Sequence, residues 1–290
     1  MISLWNKDTE IEFFKRSHEL TTPEQLFYKT SDNRYLAYWP KGYKGPKTTL
    51  QSRNSLIGDF TEKWSLNILK GFADKIGAFV VQSVACEEIG LKRNSPADIA
   101  FCKTNDRIQI PANIIVIFEV KMSVVWNWKL SKKNDELNCI GDYTTHQGNP
   151  GLLRSDTMLK AIGKSINIRV SGSGAAKIPI VILGNTPITE SYYKKIDHLK
   201  KFGIIQGFWS LNPEPRDEIE TIKNTENFGF IRMDSYEKLI EYLNELLKEE
   251  REFFSGMKTK KQLGEIIEIA NREETYEKKA GKFLSLLRVD

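Results

Sequence analysis

Asp98, Glu119 and Lys121 are the residues of this chain whose types and spacing suit chemistry. Asp98 stands in Ser95-Pro96-Ala97-Asp98-Ile99-Ala100-Phe101, and the other two in Phe118-Glu119-Val120-Lys121. Side chains of a strand alternate with period two, so Glu119 and Lys121 leave one face together while Val120 turns to the other. Two carboxylates beside an ammonium form a donor set for a hard divalent cation such as Mg²⁺, which takes oxygen ligands and usually only one or two protein carboxylates. The chemistry within reach is hydrolysis of a phosphodiester. A cation on Asp98 and Glu119 activates water and offsets transition-state charge, while Lys121 orients the water and stabilises the developing anion. Lys121 is a poor general base unless its own pKa is lowered.

Several elements must position these groups. Ile114-Ile115-Val116-Ile117-Phe118 is β-branched or aromatic throughout and too short for a typical helix, so it reads as a strand buried on both faces. Ala97 to Phe101 is a second strand, and the polar turn Lys103-Thr104-Asn105-Asp106-Arg107 separates the two as a loose hairpin does. Antiparallel pairing then brings Asp98 beside Glu119. Before them, Phe60, Trp64, Ile68, Leu69 and Phe72 repeat at helical spacing and predict an amphipathic helix over Asp59 to Ile76. Glu62 lies near its N-terminal end, where the helix dipole alone would also favour it. Ala78-Phe79-Val80-Val81 gives a first strand. After Lys121, a helix starts at Ser155 and runs through Met158, Leu159, Ile162 and Ile166 with Lys160 and Lys164 on one face, and Ile178 to Gly184 supplies the following buried strand.

In this order of elements, Asp98 and Glu119-Val120-Lys121 resemble the active-site motif of the PD-(D/E)xK nuclease superfamily, and within it the type II restriction endonucleases. Pro96 is separated from Asp98 by Ala97 where the family name implies adjacency, but proline is not a ligand. The resemblance implies an α/β fold with a restriction-endonuclease-like αβββαβ core over roughly residues 55 to 185, a central mixed sheet flanked by helices. It implies Mg²⁺ held by Asp98 and Glu119, Lys121 as a catalytic residue, and Glu62 in an accessory role. It further implies a sequence-specific endonuclease acting on double-stranded DNA as a homodimer, with a companion DNA methyltransferase to protect the host. Two alternatives stay open: a repair or junction nuclease of the same superfamily, and a non-catalytic nucleic-acid-binding module. A bare Glu-x-Lys is weak, since Glu277-Lys278-Lys279 repeats it in a charged helical stretch, and a salt-bridge cluster at strand ends is the plain structural reading.

Outside the motif, three groups of residues suit DNA. Lys41, Lys44 and Lys47 stand in the glycine- and proline-punctuated loop Trp39 to Lys47, where aromatics interleaved with lysines fit a nucleic-acid backbone. Arg154, Lys160 and Lys164 are candidates for phosphates beside the metal site, and His146, Gln147 and Asn149, on the loop Gly141 to Gly151, for base edges. Each has an ordinary surface reading too. The chain divides into an N-terminal arm (1–54), a core (55–210) and a mainly helical C-terminal region (211–290). There Leu239, Leu243, Leu246 and Leu247 stripe a helix over Tyr236 to Phe254, and a second helical stretch runs from Lys261 to Leu287 through Leu263, Ile266 and Ile267, for packing or dimerisation.

Composition narrows the class. With 290 residues, 40% of them hydrophobic, the chain can bury a large core. A formal charge of +5 is mildly basic, so cations that meet nucleic acid must be placed locally. No apolar run approaches a membrane span and no leader pattern is apparent, so the expected location is cytoplasmic. Cys86, Cys102 and Cys139 are odd in number, widely spaced and read as reduced thiols; His18, His146 and His198 are too scattered for zinc. Neither a Gly-x-Ser-x-Gly elbow nor a Walker-type loop is present.

Overall fold

Two sheets carry the chain in a computed structural model that describes residues 2–217, 223–248, 252–253 and 258–287. Helix α1 (Lys7–His18), the single turn α2 (Pro23–Leu26) and the short strands β1 (Tyr28–Lys29) and β2 (Tyr35–Leu36) come first. The long helix α3 (Gln51–Lys75) leads into β3 (Phe79–Val84), β4 (Ala97–Cys102) and β5 (Ile114–Val120). A hairpin of β6 (Asn127–Ser131) and β7 (Glu136–Gly141) intervenes before α4 (Ser155–Ser171) and β8 (Ile180–Gly184). Then follow α5 (Tyr193–Lys201), β9 (Gly207–Ser210), β10 (Phe230–Arg232), α6 (Tyr236–Lys248), α7 (Lys260–Ala270) and α8 (Tyr276–Leu287).

The larger sheet has the order β10-β9-β8-β5-β4-β3. Strands β3, β4 and β5 are antiparallel, and β5, β8, β9 and β10 are parallel, so the fold is α/β with a mixed sheet. The apolar run of β5 lies inside that sheet because both its faces are covered. Val116 and Phe118 join a core with Ile68, Leu69 and Phe72 of α3 and Leu239, Leu243 and Leu246 of α6. Ile117 joins a second core with Met158, Ala161 and Ile168 of α4 and Ile196 of α5. Period-two alternation thereby sends Glu119 to the α4 side and Val120 to the α3 side.

Helices α3 and α4 differ from the sequence expectation. Helix α3 starts at Gln51, ahead of its apolar repeat, because buried Arg53 anchors the first turn, donating to the carbonyls of Leu26 and Ala37. The segment 1–54 packs onto the body: β2 pairs with β6, so the N-terminal strands share a four-stranded antiparallel sheet with the hairpin that follows Lys121. The buried face of α4 is Met158, Ala161, Ser165 and Ile168, while Leu159 and Ile166 are exposed; small side chains let the helix lie close to the sheet. The C-terminal helical stretch consists of two helices, α7 and α8. The stripe of α6 is spent in the core, and Phe254, its expected end, lies outside the described residues. Among the described residues no helix is long and apolar enough to cross a membrane.

Candidate active site

The register of β4 on β5 pairs Ile99 with Phe118 and Ala100 with Ile117. Carried one residue further, it sets Asp98 opposite Glu119 on the α4 face, as the sequence predicts. Lys121 follows the end of β5 and is fixed to β8 through its backbone N–H, which donates to the Leu183 carbonyl at 2.7 Å. Beyond it, wholly buried Asn185 holds the chain from both sides, accepting from Ser123 N–H at 3.1 Å and donating to Ser123 C=O at 2.6 Å. Gly151 packs beside this turn with φ +51°, and a Cβ there would fall 3.0 Å from Thr186 Oγ1 and 3.3 Å from the Lys121 carbonyl.

Asp98, Glu119 and Lys121 meet, and Lys164 of α4 joins them. The Lys121 ammonium donates to Asp98 Oδ2 at 3.0 Å, Glu119 Oε2 at 3.1 Å and the Val120 carbonyl at 3.1 Å. The remaining carboxylate oxygens face Lys164: its Nζ stands 2.6 Å from Glu119 Oε1 and 3.5 Å from Asp98 Oδ1, and it also donates to the Pro96 carbonyl. The Val120 N–H adds a 2.7 Å bond to Asp98 Oδ2. Each carboxylate is thus divided between two ammoniums, and the four formal charges cancel.

Burial raises the Glu119 carboxyl above the usual glutamate range, the Asp98 charge adds to this, and the two lysines only partly offset it. For Asp98 the balance reverses. Burial pushes its pKa up, but the ammoniums of Lys121 and Lys164 and the Val120 N–H together hold it low. Burial acts to lower the Lys121 pKa, yet Glu119 and Asp98 outweigh it and raise the net value, so Lys121 stays an ammonium at neutral pH and works as a donor.

The residues present fit a hard cation. Asp98 Oδ2, Glu119 Oε2 and the Val120 carbonyl form an all-oxygen cage around one positive charge, and wholly buried Glu119 Oε1 makes no hydrogen bond of good geometry. Among the described residues no cluster of three or more His, Cys, Asp or Glu side chains is placed to hold a metal. The acidic donors of this site number two, which is the protein share Mg²⁺ commonly takes.

Glu62 is close enough to feel the site without bonding to it. Its carboxylate accepts from Gln82 Nε2 at 2.7 Å, and its pKa is raised by burial, with the Asp98 charge adding to the shift and Lys121 opposing it. The loop residues divide. His146 is buried, stacked on Tyr38 at 3.9 Å with its ring nitrogens facing the carbonyls of Gln147 and Val125, and burial lowers its pKa. The Gln147 amide donates to the carbonyls of Pro40 and Tyr43 and accepts from Lys47. The Gln147 side chain thus ties the 40–47 loop to the body, while the His146 ring is held inside by Tyr38 and the carbonyls of Gln147 and Val125. Asn149, Lys41 and Lys44 are exposed, as is Lys47 on its Gln147 partner. Arg154 is engaged by Asp156 through two 2.8 Å bonds, and Lys160 stands 77% exposed, 3.8 Å from the same carboxylate. Lys160 and Lys164, read as one face, point to different surroundings.

Sequence reasoning misses three features. Lys164 is read as a phosphate contact and not as a member of the cluster. The exposed turn Lys92-Arg93-Asn94-Ser95, closed by a 2.9 Å Ser95 N–H to Lys92 C=O bond just before Pro96, puts two more cations upstream of Asp98. Its polar run is a turn signal visible in the sequence. Glu10 is the third, wholly buried and bonded by Trp5 Nε1 (3.2 Å), Val125 N (2.5 Å), Trp126 N (3.3 Å) and Trp128 Nε1 (2.8 Å). Compared with protein-family models, curated proteins and solved structures, the chain matches none.

Proposed function

We propose that this chain is a Mg²⁺-dependent endonuclease that hydrolyses phosphodiester bonds of double-stranded DNA, a PD-(D/E)xK-type enzyme whose action is that of a sequence-specific type II restriction endonuclease. The observation that carries the reading is the Lys121 ammonium inside the cage of Asp98 Oδ2, Glu119 Oε2 and the Val120 carbonyl, at 3.0 to 3.1 Å. The order α3, β3, β4, β5, α4, β8, with one hairpin inserted, supports it as the αβββαβ plan of that superfamily.

In this mechanism Asp98 and Glu119 hold Mg²⁺, which when bound supplies Lewis-acid polarisation of a phosphoryl oxygen and charge neutralisation. Asp98, held low by its cations, is an ionised ligand over the whole neutral range. Lys121, kept charged by its neighbours, donates to the attacking water or to the nonbridging oxygen on which charge develops. Lys41, Lys44, Lys92, Arg93 and Lys160 are exposed and available to backbone phosphates, and Asn149, near the Gly151 turn, to a base edge. Homodimerisation and a companion methyltransferase belong to this proposal through the resemblance alone.

A second reading, the non-catalytic nucleic-acid-binding module, has one observation in its favour: the cluster is electrically neutral and closed on itself. Incubating the protein with long duplex DNA of varied sequence, in Mg²⁺ and in EDTA, and sequencing every new end separates the possibilities. Discrete ends sharing a motif and lost in EDTA are expected. Cutting confined to branched or damaged DNA would move the assignment to a repair or junction nuclease, and no Mg²⁺-dependent cutting of any substrate would leave the binding module.

A further inference from the structure

Lys164 is not needed to complete the cage around Lys121, yet it occupies the other half of both carboxylates. Its Nζ is 2.6 Å from Glu119 Oε1 and 3.5 Å from Asp98 Oδ1, and the Pro96 carbonyl makes a third oxygen neighbour. Glu119 Oε1 is a buried acceptor with no hydrogen bond of good geometry, so this ion pair is what compensates it. Lys164 sits on the side of α4 next to its buried face and reaches the carboxylates from a separate element on a flexible stem, whereas Lys121 stands two residues from Glu119 on the same chain segment and also donates to the Val120 carbonyl.

We propose that Lys164 is an internal counter-cation that competes with divalent metal for Glu119, and that a DNA backbone phosphate draws it away, so that DNA binding and metal loading favour one another. The inference rests on the nuclease reading and adds a regulation of the same site. With Lys164 in place the cluster carries no net charge; once its ammonium moves onto a phosphate, the Asp98–Glu119–Lys121 group is left with one net negative charge facing the cation. The coupling is reciprocal, as any linkage between two binding events must be.

Calorimetry of Ca²⁺, a divalent probe, into DNA-free protein at pH 8 tests this. Lys164→Gln is expected to bind Ca²⁺ about tenfold more tightly than wild type, since one nearby positive charge is gone, and Lys164→Arg, which keeps the charge, to bind like wild type. Glu119→Ala supplies the reference without the ligand. Anisotropy of a fluorescent DNA duplex gives the reciprocal readout: the factor by which Ca²⁺ tightens DNA binding is smaller in Lys164→Gln than in wild type. If Lys164→Gln binds Ca²⁺ no better than wild type while Glu119→Ala abolishes binding, the competition is wrong and the metal site stands. If none of these proteins binds Ca²⁺, with DNA or without, the metal-dependent reading falls and the competition with it.

Discussion

Glu10 and Glu119 are both carboxylates removed from water, and the protein compensates them in opposite ways. Glu10 is held by four neutral N–H donors, two from indoles and two from the backbone of Val125 and Trp126. Glu119 is held by two ammoniums on side-chain stems, and one of its oxygens makes no well-formed hydrogen bond. Donors fixed to the backbone or to packed rings cannot be exchanged, so the first arrangement clamps α1 to the segment that follows Lys121. Ammoniums can be exchanged for another cation, so the second suits a site that must accept one. A buried charge by itself does not mark function; the mobility of what compensates it distinguishes the two.

The comparison breaks first at the Asp98–Glu119 cluster. Asp98→Asn removes the formal charge shared by Lys121 and Lys164, and DNA cleavage in Mg²⁺ is expected to fall on the order of a thousandfold while DNA binding survives. A rate within a few-fold of wild type, measured with saturating DNA, would return Asp98 to the structural class that Glu10 represents.

Glu10→Gln should do the reverse. An amide presents one oxygen where four donors converge, and its NH₂ opposes the rest, so chemical denaturation should show a loss of about 2 to 3 kcal/mol. Cleavage per folded molecule should stay at the wild-type rate. The pH dependence sharpens the contrast. Burial pushes the Glu10 carboxyl up to about 7 against its four donors. Between the ordinary value of 4.5 and about 7 the folded state therefore binds more protons than the unfolded state. Stability must then fall as pH rises through that window, by about 3 kcal/mol from this group, and level off above it. Unfolding free energies across that range should show this slope in wild type and a flatter one in Glu10→Gln.

The smallest effect belongs to a cation outside both regions. Lys160→Ala, at a 77% exposed side chain, should change stability by less than about 0.5 kcal/mol. It should weaken DNA binding uniformly and lower the salt dependence by about one counterion. An unchanged salt slope would remove Lys160 from the DNA surface.

The Asp98–Glu119–Lys121 cluster was legible because a strand reports its own geometry. Five apolar residues in Ile114–Phe118 with no polar interruption mark a strand covered on both faces, and period two then fixes where Glu119 and Lys121 point. Pairing through a single hairpin left little freedom for Asp98. Lys164 was harder to see because α4 turns Ala161 and Ser165 to the sheet, so Leu159 and Ile166, counted with Met158 and Ile162 in the apolar repeat, give the wrong phase for the helix. Glu10 gave no signal at all: its donors, Trp5, Val125, Trp126 and Trp128, lie mostly more than a hundred residues away, and only the tertiary fold brings them together. His146 and Gln147 look like surface residues of a polar loop, and only the tertiary fold shows the imidazole facing the carbonyls of Gln147 and Val125 and the Gln147 amide bonded to the 40–47 loop.

Glu119→Gln tests the central claim most directly, since it keeps shape and volume and removes only the charge that the two ammoniums compensate. Duplex DNA should be cut in Mg²⁺ by the wild type and left intact by the variant, with no compensating recovery at higher Mg²⁺. A Glu119→Gln protein that cuts the same DNA at the wild-type rate would contradict the account, and the cluster would then be a structural salt bridge.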